Sequence, residues 1–182
     1  MRTGILLLVL VTAATTQVRA VKKERVEDWP DNYDAIFIKN TKHYFGPGHD
    51  WRWFKAQAIA ESGLDPGAKS KAGAVGIMQI LPATWREIQE DNPHLKDITS
   101  PRWNIAAGIY YDRLLFKRWK SPPDDSERLL FAFGSYNAGY ARLRKLVKRT
   151  KPPTASWKHI EGHVPGQTRH YVRRIRRLMG RK

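Results

Sequence analysis

Between residues 21 and 182, apolar side chains recur at the three-to-four-residue interval of an α-helix, and nowhere do they alternate two by two. That pattern argues against half-buried strands and predicts an all-α domain. Breaks rich in Gly and Pro divide it into segments. A weak helical pattern around Tyr33–Thr41 holds Ile36 and Phe37. After "PGHD", Asp50 is placed to cap a helix from Trp51 to about Ser62. "GLDPGAKSKAGAVG" reads as a loop, and "LPATWREIQE" restarts a helix with Pro82 in its first turn. Ser100 and Pro101 open the next helix, on which Ile105, Ile109 and Phe116 share a face. Past "SPPDD", Asp125 or Ser126 caps "ERLLFAFGSYN", which ends at Asn137-Ala138-Gly139. A basic helix over 141–149 turns Leu143, Leu146 and Val147 inward. In "QTRHYVRRIRRLMG" the stripe is Tyr171, Val172, Ile175, Leu178 and Met179, with arginines around it.

The first twenty residues differ in kind. "MRTGILLLVLVTAATTQVRA" has a charged start, a short apolar run and small residues before Ala20, as a secretory signal does. The run is well short of the ~20 residues that span a bilayer. The expected division is therefore a signal over 1–20 and one domain over 21–182, with no transmembrane span once the signal is removed. An uncleaved anchor is the other reading. With no cysteine, the chain has neither disulfides nor a lipid-modified cysteine, and the expected location is periplasmic or cell-wall associated. After the signal, thirty-one bases face seventeen acids, a net charge of +14. Such a surface attracts anionic polymers, of which nucleic acid and an envelope polymer are two.

One acid stands out in "AQAIAESGLDP". At about 100° per residue, Phe54, Ala58 and Glu61 fall on one face, so Glu61 extends an apolar stripe into the last helical turn. Desolvation and the negative end of the helix dipole both disfavour its charged form. A glutamic acid that stays protonated near neutral pH is a general acid. The plainer alternative is an acid at a frayed helix end, free to reach water. Downstream, "GAVGIMQILPATW" supplies glycines and Gln79, a donor and acceptor for sugar-type ligands. Tyr136 follows Leu129 and Phe133 on one stripe, so its buried hydroxyl needs a partner, either a carboxyl group or a main-chain carbonyl.

The stretches "DWRWFKAQAIAESGLDPGAKSKAGAVGIMQILPATW", "ITSPRWNIAAGIYYDRLL", "ERLLFAFGSYNAGYARL" and "TRHYVRRI", in this order, resemble the catalytic domain of the lytic transglycosylases. The likeness is to the soluble-lytic-transglycosylase-like domain, as in the membrane-bound type F enzymes, and runs from about Trp29 to Ile175. It implies a lysozyme-like (goose-type) helical domain with a cleft that cleaves peptidoglycan glycan strands. It also implies roles: Glu61 as the catalytic acid/base, and Tyr136 as the tyrosine that bonds its carboxyl group. Ser62, Met78, Gln79, Asn137 and Tyr171 match substrate-binding or site-lining positions. Two positions depart from the family pattern: Gln167 stands where Glu is common, and Tyr140 where Pro often follows "YNAG".

Glycosidases commonly use two carboxylates. The other acids here make poor partners: Asp65 reads as a turn residue before Pro66, Glu87 and Glu90 lie on a polar face, and Asp112 sits among basic residues. The resemblance implies a reaction without a second carboxylate, in which the C6 hydroxyl of N-acetylmuramic acid attacks its own anomeric carbon to give a 1,6-anhydro end. No cofactor is implied, and the six His residues show no metal-ligand spacing. A monomer acting on glycan strands, with no nucleic-acid partner, is the expectation. Attachment to a secretion or conjugation machine stays open, as do two rivals: a hydrolase on the same fold, and a cationic nucleic-acid or envelope-binding protein.

Overall fold

The computed structural model describes residues 24–120, 124–150 and 156–181. The signal expected over 1–20 lies outside them. Among the described residues there are eight α-helices, a short 3-10 turn at Val26–Asp28, and no strand. The helices are α1 (Asp34–Phe45), α2 (Arg52–Ser62), α3 (Pro82–Asp91), α4 (Pro101–Arg118), α5 (Asp125–Ala138), α6 (Tyr140–Arg149), α7 (Trp157–Ile160) and α8 (Gly166–Leu178). None of them is long and apolar enough to cross a membrane.

The core forms around α2, in which every residue from Trp53 to Ile59 is buried. α8 and α1 pack against α2, while α4 and α5 pack on each other and on α1 and α8 respectively. Phe37, Phe54, Phe131 and Phe133 are fully buried, each contributing about 1.5–3 kcal/mol from removal of apolar surface from water. Burying α2 on all sides also takes in Lys55, whose ammonium is neutralised by Asp34 at 2.7 Å. Ile105, Ile109 and Phe116 are buried as their shared face requires, and so are Tyr171, Val172, Ile175 and Leu178 on α8. Met179 is only partly covered.

Helix ends differ in detail from the sequence reading. α2 starts at Arg52 with Trp51 in the N-cap position and no side-chain cap, so Asp50 lies one residue before the cap, although it accepts from the Arg52 amide at 3.0 Å. At α5 the cap is Asp124, one residue before the expected pair; its Oδ1 accepts from the Glu127 amide at 2.8 Å. α1 runs on to Phe45, which packs on Phe54 and Phe116. α7 has too few residues to show a period. Its Trp157 is sunk against Phe131, and its first amide donates to Glu127 Oε2 at 2.7 Å.

Candidate active site

Glu61 and Ser62 form the last turn of α2, which stops because Gly63 takes a left-handed conformation (φ 69°). The chain then doubles back through residues 64–81, with single bridges between Lys69 and Val75 and between Val75 and Ile80. Two helix-borne side chains, Ser62 and Asn104, fix this loop against the helices, and Gln79 braces it from within. The Ser62 hydroxyl donates to the Ile77 carbonyl at 2.8 Å. Asn104, fully buried on α4, accepts from the Met78 amide at 2.7 Å and donates to the carbonyls of Val75 and Ile98 at 3.0 and 2.8 Å. Gln79, at a strained φ of 48°, donates to the carbonyls of Gly76 and Ala68 at 2.9 and 3.2 Å. Gly76 (φ 76°) lies so close to Asn104 that a Cβ there would sit 2.7 Å from its amide nitrogen. The loop is therefore held by helix-borne side chains rather than by a sheet.

Against this loop stand two tyrosines. Tyr136, from the last turns of α5, donates to the Met78 carbonyl at 2.8 Å. This corrects the expected bond from its hydroxyl to the Glu61 carboxyl group. The loop's turn leaves the Met78 carbonyl directed at α5, and that carbonyl takes the phenol proton. Tyr136 can then only accept from Glu61, which requires that Glu61 hold the proton. Tyr171 is buried on α8 beside Glu61 and acts on it as a donor. The contact falls short of a full hydrogen bond, since the buried Tyr171 hydroxyl is left without a hydrogen-bond partner. Burial, followed by the neighbouring Glu61 charge, raises the pKa of both phenols well above the usual tyrosine value. Both stay protonated.

Glu61 itself is half-buried. Burial pushes its carboxyl group up to about 7, against a smaller lowering by Tyr171. It is thus an acid still protonated close to neutrality, with solvent access on one side. Arg174 of α8, the cation that reaches the end of α2, bonds the Ala60 carbonyl at 3.5 Å.

The other expected site residues divide. Ser62 and Gln79 are half-buried at the loop. Asn137 is half-buried and accepts from the buried Thr168 hydroxyl at 2.9 Å, tying α5 to α8; Gln167 beside it is exposed. Met78 departs from expectation: its side chain is fully buried and packs where Gly108 of α4 leaves room, so only its main chain borders the site. Asp65 is exposed and accepts from the Gly67 amide at 2.8 Å, the turn role expected of it. Asp112 is the larger correction. It is completely buried, bonded to Gln57, and close enough to Glu61 for the two charges to interact. Asn104 and Arg174 also escaped the sequence reading.

Among the described residues no group of three or more His, Cys, Asp or Glu could hold a metal. A groove of about 960 Å³ between α1 and α4 is lined by Ile36, Lys39, Tyr44, Arg102 and Trp103 among others and does not include Glu61. The raised acid, not groove size, marks the site.

Comparisons with known proteins bear on the family and the fold. The family described as "Transglycosylase SLT domain" matches residues 37–158. Membrane-bound lytic murein transglycosylase F of Yersinia pestis is 34% identical over 146 residues, covering 77% of this chain and 28% of its own length. That of Erwinia tasmaniensis is 32% identical over 127 residues, covering 67% and 25%. The chain thus spans about a quarter of the length of the curated relatives it matches. Among solved structures, the 70 kDa soluble lytic transglycosylase of Escherichia coli superposes with a TM-score of 0.70 at 24% identity, over 84% of this chain and 24% of that one. An inactive Glu-to-Gln mutant of the lytic transglycosylase Slt of Pseudomonas aeruginosa gives 0.70 at 24% identity, over 83% and 24%. The fold is the lysozyme-like helical fold of these proteins.

Proposed function

The chain belongs to the transglycosylase SLT domain family, and on that premise we propose that it is a lytic transglycosylase of peptidoglycan with Glu61 as its one acid and base. The observation that carries this reading is a glutamic acid in the last turn of a buried helix, its carboxyl group pushed up to about 7 by burial and its charge felt by two tyrosines that stay protonated. A carboxyl group in that state can give a proton at neutral pH and take it back, which a two-step reaction with a single acid/base requires.

In the first step Glu61 gives its proton to the glycosidic oxygen of the β-1,4 bond between N-acetylmuramic acid and N-acetylglucosamine, and the bond from that oxygen to the anomeric carbon breaks. In the second, the C6 hydroxyl of the same muramic acid attacks the anomeric carbon. Its proton passes to the Glu61 carboxylate, the 1,6-anhydro bond forms, and the enzyme is restored. No water is consumed. An attached nucleophile has a high effective molarity, which removes the need for an activated water. Tyr136 and Tyr171 orient the carboxyl group, and Ser62, Gln79 and Asn137 shape the loop and helix ends that face the sugar. The signal-like start supports an exported protein.

The test is mass spectrometry of the muropeptides released from purified sacculi. Wild type is expected to release disaccharide-peptides one water lighter than hydrolysis products, with no reducing end. Glu61→Gln is expected to stay folded and release none. Reducing ends from wild type would make the protein a hydrolase, and full activity in Glu61→Gln would remove Glu61 from the chemistry.

A further inference from the structure

Two polar side chains lie buried in the core one turn below Glu61. Gln57 precedes it by four residues on α2, so it shares the face of Glu61, and Asp112 reaches it from the middle of α4. Both are completely buried. The Gln57 amide nitrogen donates to Asp112 Oδ1 at 3.2 Å. The remaining oxygens of the same two groups, Gln57 Oε1 and Asp112 Oδ2, are each buried without a hydrogen-bond partner.

An ionised carboxylate only accepts, and so does a carboxamide oxygen. With Asp112 ionised, the core would hold two orphaned acceptors on groups already joined to each other, besides a buried charge. Each such atom is costly, and the charge more so. One proton on Asp112 Oδ2 removes all three problems: the acid donates to Gln57 Oε1, and the pair closes on itself with two hydrogen bonds. Turning the amide over does not avoid the proton. It would set an oxygen at 3.2 Å from Oδ1, a contact between two acceptors that again needs a hydrogen between them.

Nothing around Asp112 compensates a negative charge. The titratable groups that face it are Glu61 from α2, Tyr136 from α5, Tyr171 from α8 and Tyr111 on its own helix, and none is a cation. The adjacent Arg113 turns to the rings of Phe45 and Phe116. Burial first, then the charge of Glu61, raises the Asp112 acid well above the ordinary carboxylate range, outweighing the Gln57 bond.

We propose that Asp112 is a protonated positioning residue for Glu61: its carboxylic acid and the Gln57 carboxamide form a closed pair that locks α2 to α4 beneath the catalytic turn and leaves Glu61 the one carboxyl group there that becomes charged. The inference rests on the proposed role of Glu61 and sharpens it. When Glu61 gives up its proton, the new negative charge meets a neutral neighbour rather than a second anion. The same neutrality removes Asp112 as a water-activating second carboxylate, which leaves the substrate's own hydroxyl as the nucleophile.

The experiment has an arm that needs no turnover. In a Glu61→Gln background at pH 8, where exposed carboxyl groups are ionised, infrared difference spectra between that protein and its Asp112→Asn derivative should show the carbonyl band of one protonated carboxylic acid, lost in the derivative. Absence of the band overturns the proposal whatever the enzyme's reaction is. With Glu61 intact, Asp112→Leu should lower kcat at least tenfold with KM nearly unchanged, and Asp112→Asn, which can make both bonds to Gln57, should recover most of the loss. The alkaline limb of the pH profile should not move in Asp112→Asn. A shift of that limb by a pH unit toward acid would mean that wild-type Asp112 is ionised beside Glu61, and wild-type kcat in Asp112→Leu would mean that it positions nothing. If Asp112→Leu does not fold, the infrared band and the Asp112→Asn profile still decide.

Discussion

Replacing Glu61 by Gln keeps the shape of the side chain and removes its one ionisation, so stability as a function of pH reads the environment of Glu61 directly. The folded protein holds the Glu61 proton up to about pH 7, and the unfolded chain releases it near 4.5. Below 4.5 both states are protonated and the group costs nothing. As pH rises from 4.5 to about 7 the unfolded state alone gains by ionising, and wild type loses stability. At about 1.36 kcal/mol per pH unit the loss is about 3 kcal/mol, and about 1–2 kcal/mol once solvent screening of a half-buried group is allowed for. Gln suffers no such loss. Thermal unfolding of both proteins from pH 4 to 8.5 should therefore show a gap that opens in favour of Glu61→Gln. The expected size is roughly 2–8 °C at pH 8, since 1 kcal/mol shifts Tm by about 2–4 °C in a chain of this length. A gap independent of pH would mean that Glu61 titrates as in water, and the acid role argued from its burial would fall with it.

Three further outcomes follow from the same contacts. Tyr136→Phe removes the donor to the Met78 carbonyl; unfolding should shift by about 1–3 kcal/mol for a buried carbonyl left unpaired, and turnover should fall by more than that shift explains. A stability change with wild-type turnover would confine Tyr136 to the core. Asn104→Ala deletes three bonds, two to the loop and one to the Ile98 carbonyl; at about 0.5–1.5 kcal/mol each it should cost roughly 2–4 kcal/mol, and kcat should drop although Asn104 lies outside the reacting centre, as single-turnover kinetics on the folded variant would show. Binding to purified sacculi should weaken between low and moderate salt, because a net charge of +14 over residues 21–182 would meet envelope anions screened beyond about 10 Å at 0.1 M; flat co-sedimentation would assign that charge another purpose.

The legible part of this structure is the part governed by a local period. α2 to α6 and α8 follow apolar stripes closed by Gly, Pro or small polar residues, and Glu61 was visible because it continues such a stripe. α7 was not visible, since four residues show no period and Trp157 is placed by α5 rather than by its neighbours in sequence. The partner of Tyr136 was unreadable for a related reason. It depends on where residues 64–81 return, and Asn104, forty residues beyond Leu64, decides that. Asp112 is different, because its signal was present. It lies at helical spacing with Ile105, Ile109 and Phe116, the same pattern that marks Glu61, yet the basic residues beside it along the chain made it read as a poor partner for Glu61. Neighbours in sequence occupy different faces of a helix, and the period outweighs them.

Charge placement links the buried acids to the basic exterior. A chain with this excess of Lys and Arg could readily set a cation beside Glu61, but a cation there would lower the Glu61 pKa and leave it ionised at neutral pH, unable to donate. The arginine-rich α8 avoids this through its own period. Tyr171, Val172, Ile175 and Leu178 face inward, while Arg173 and Arg177 stay exposed and Arg173 pairs with Glu161. Arg174 comes nearest, and its guanidinium is directed to the Ala60 carbonyl at the end of α2, where a positive charge offsets the helix dipole without forming an ion pair with Glu61. What meets Glu61 from α8 is instead the neutral phenol of Tyr171. Moving the helix by one residue would exchange that phenol for His170 or Val172, so the register that buries the apolar stripe of α8 is also the register that keeps Glu61 an acid.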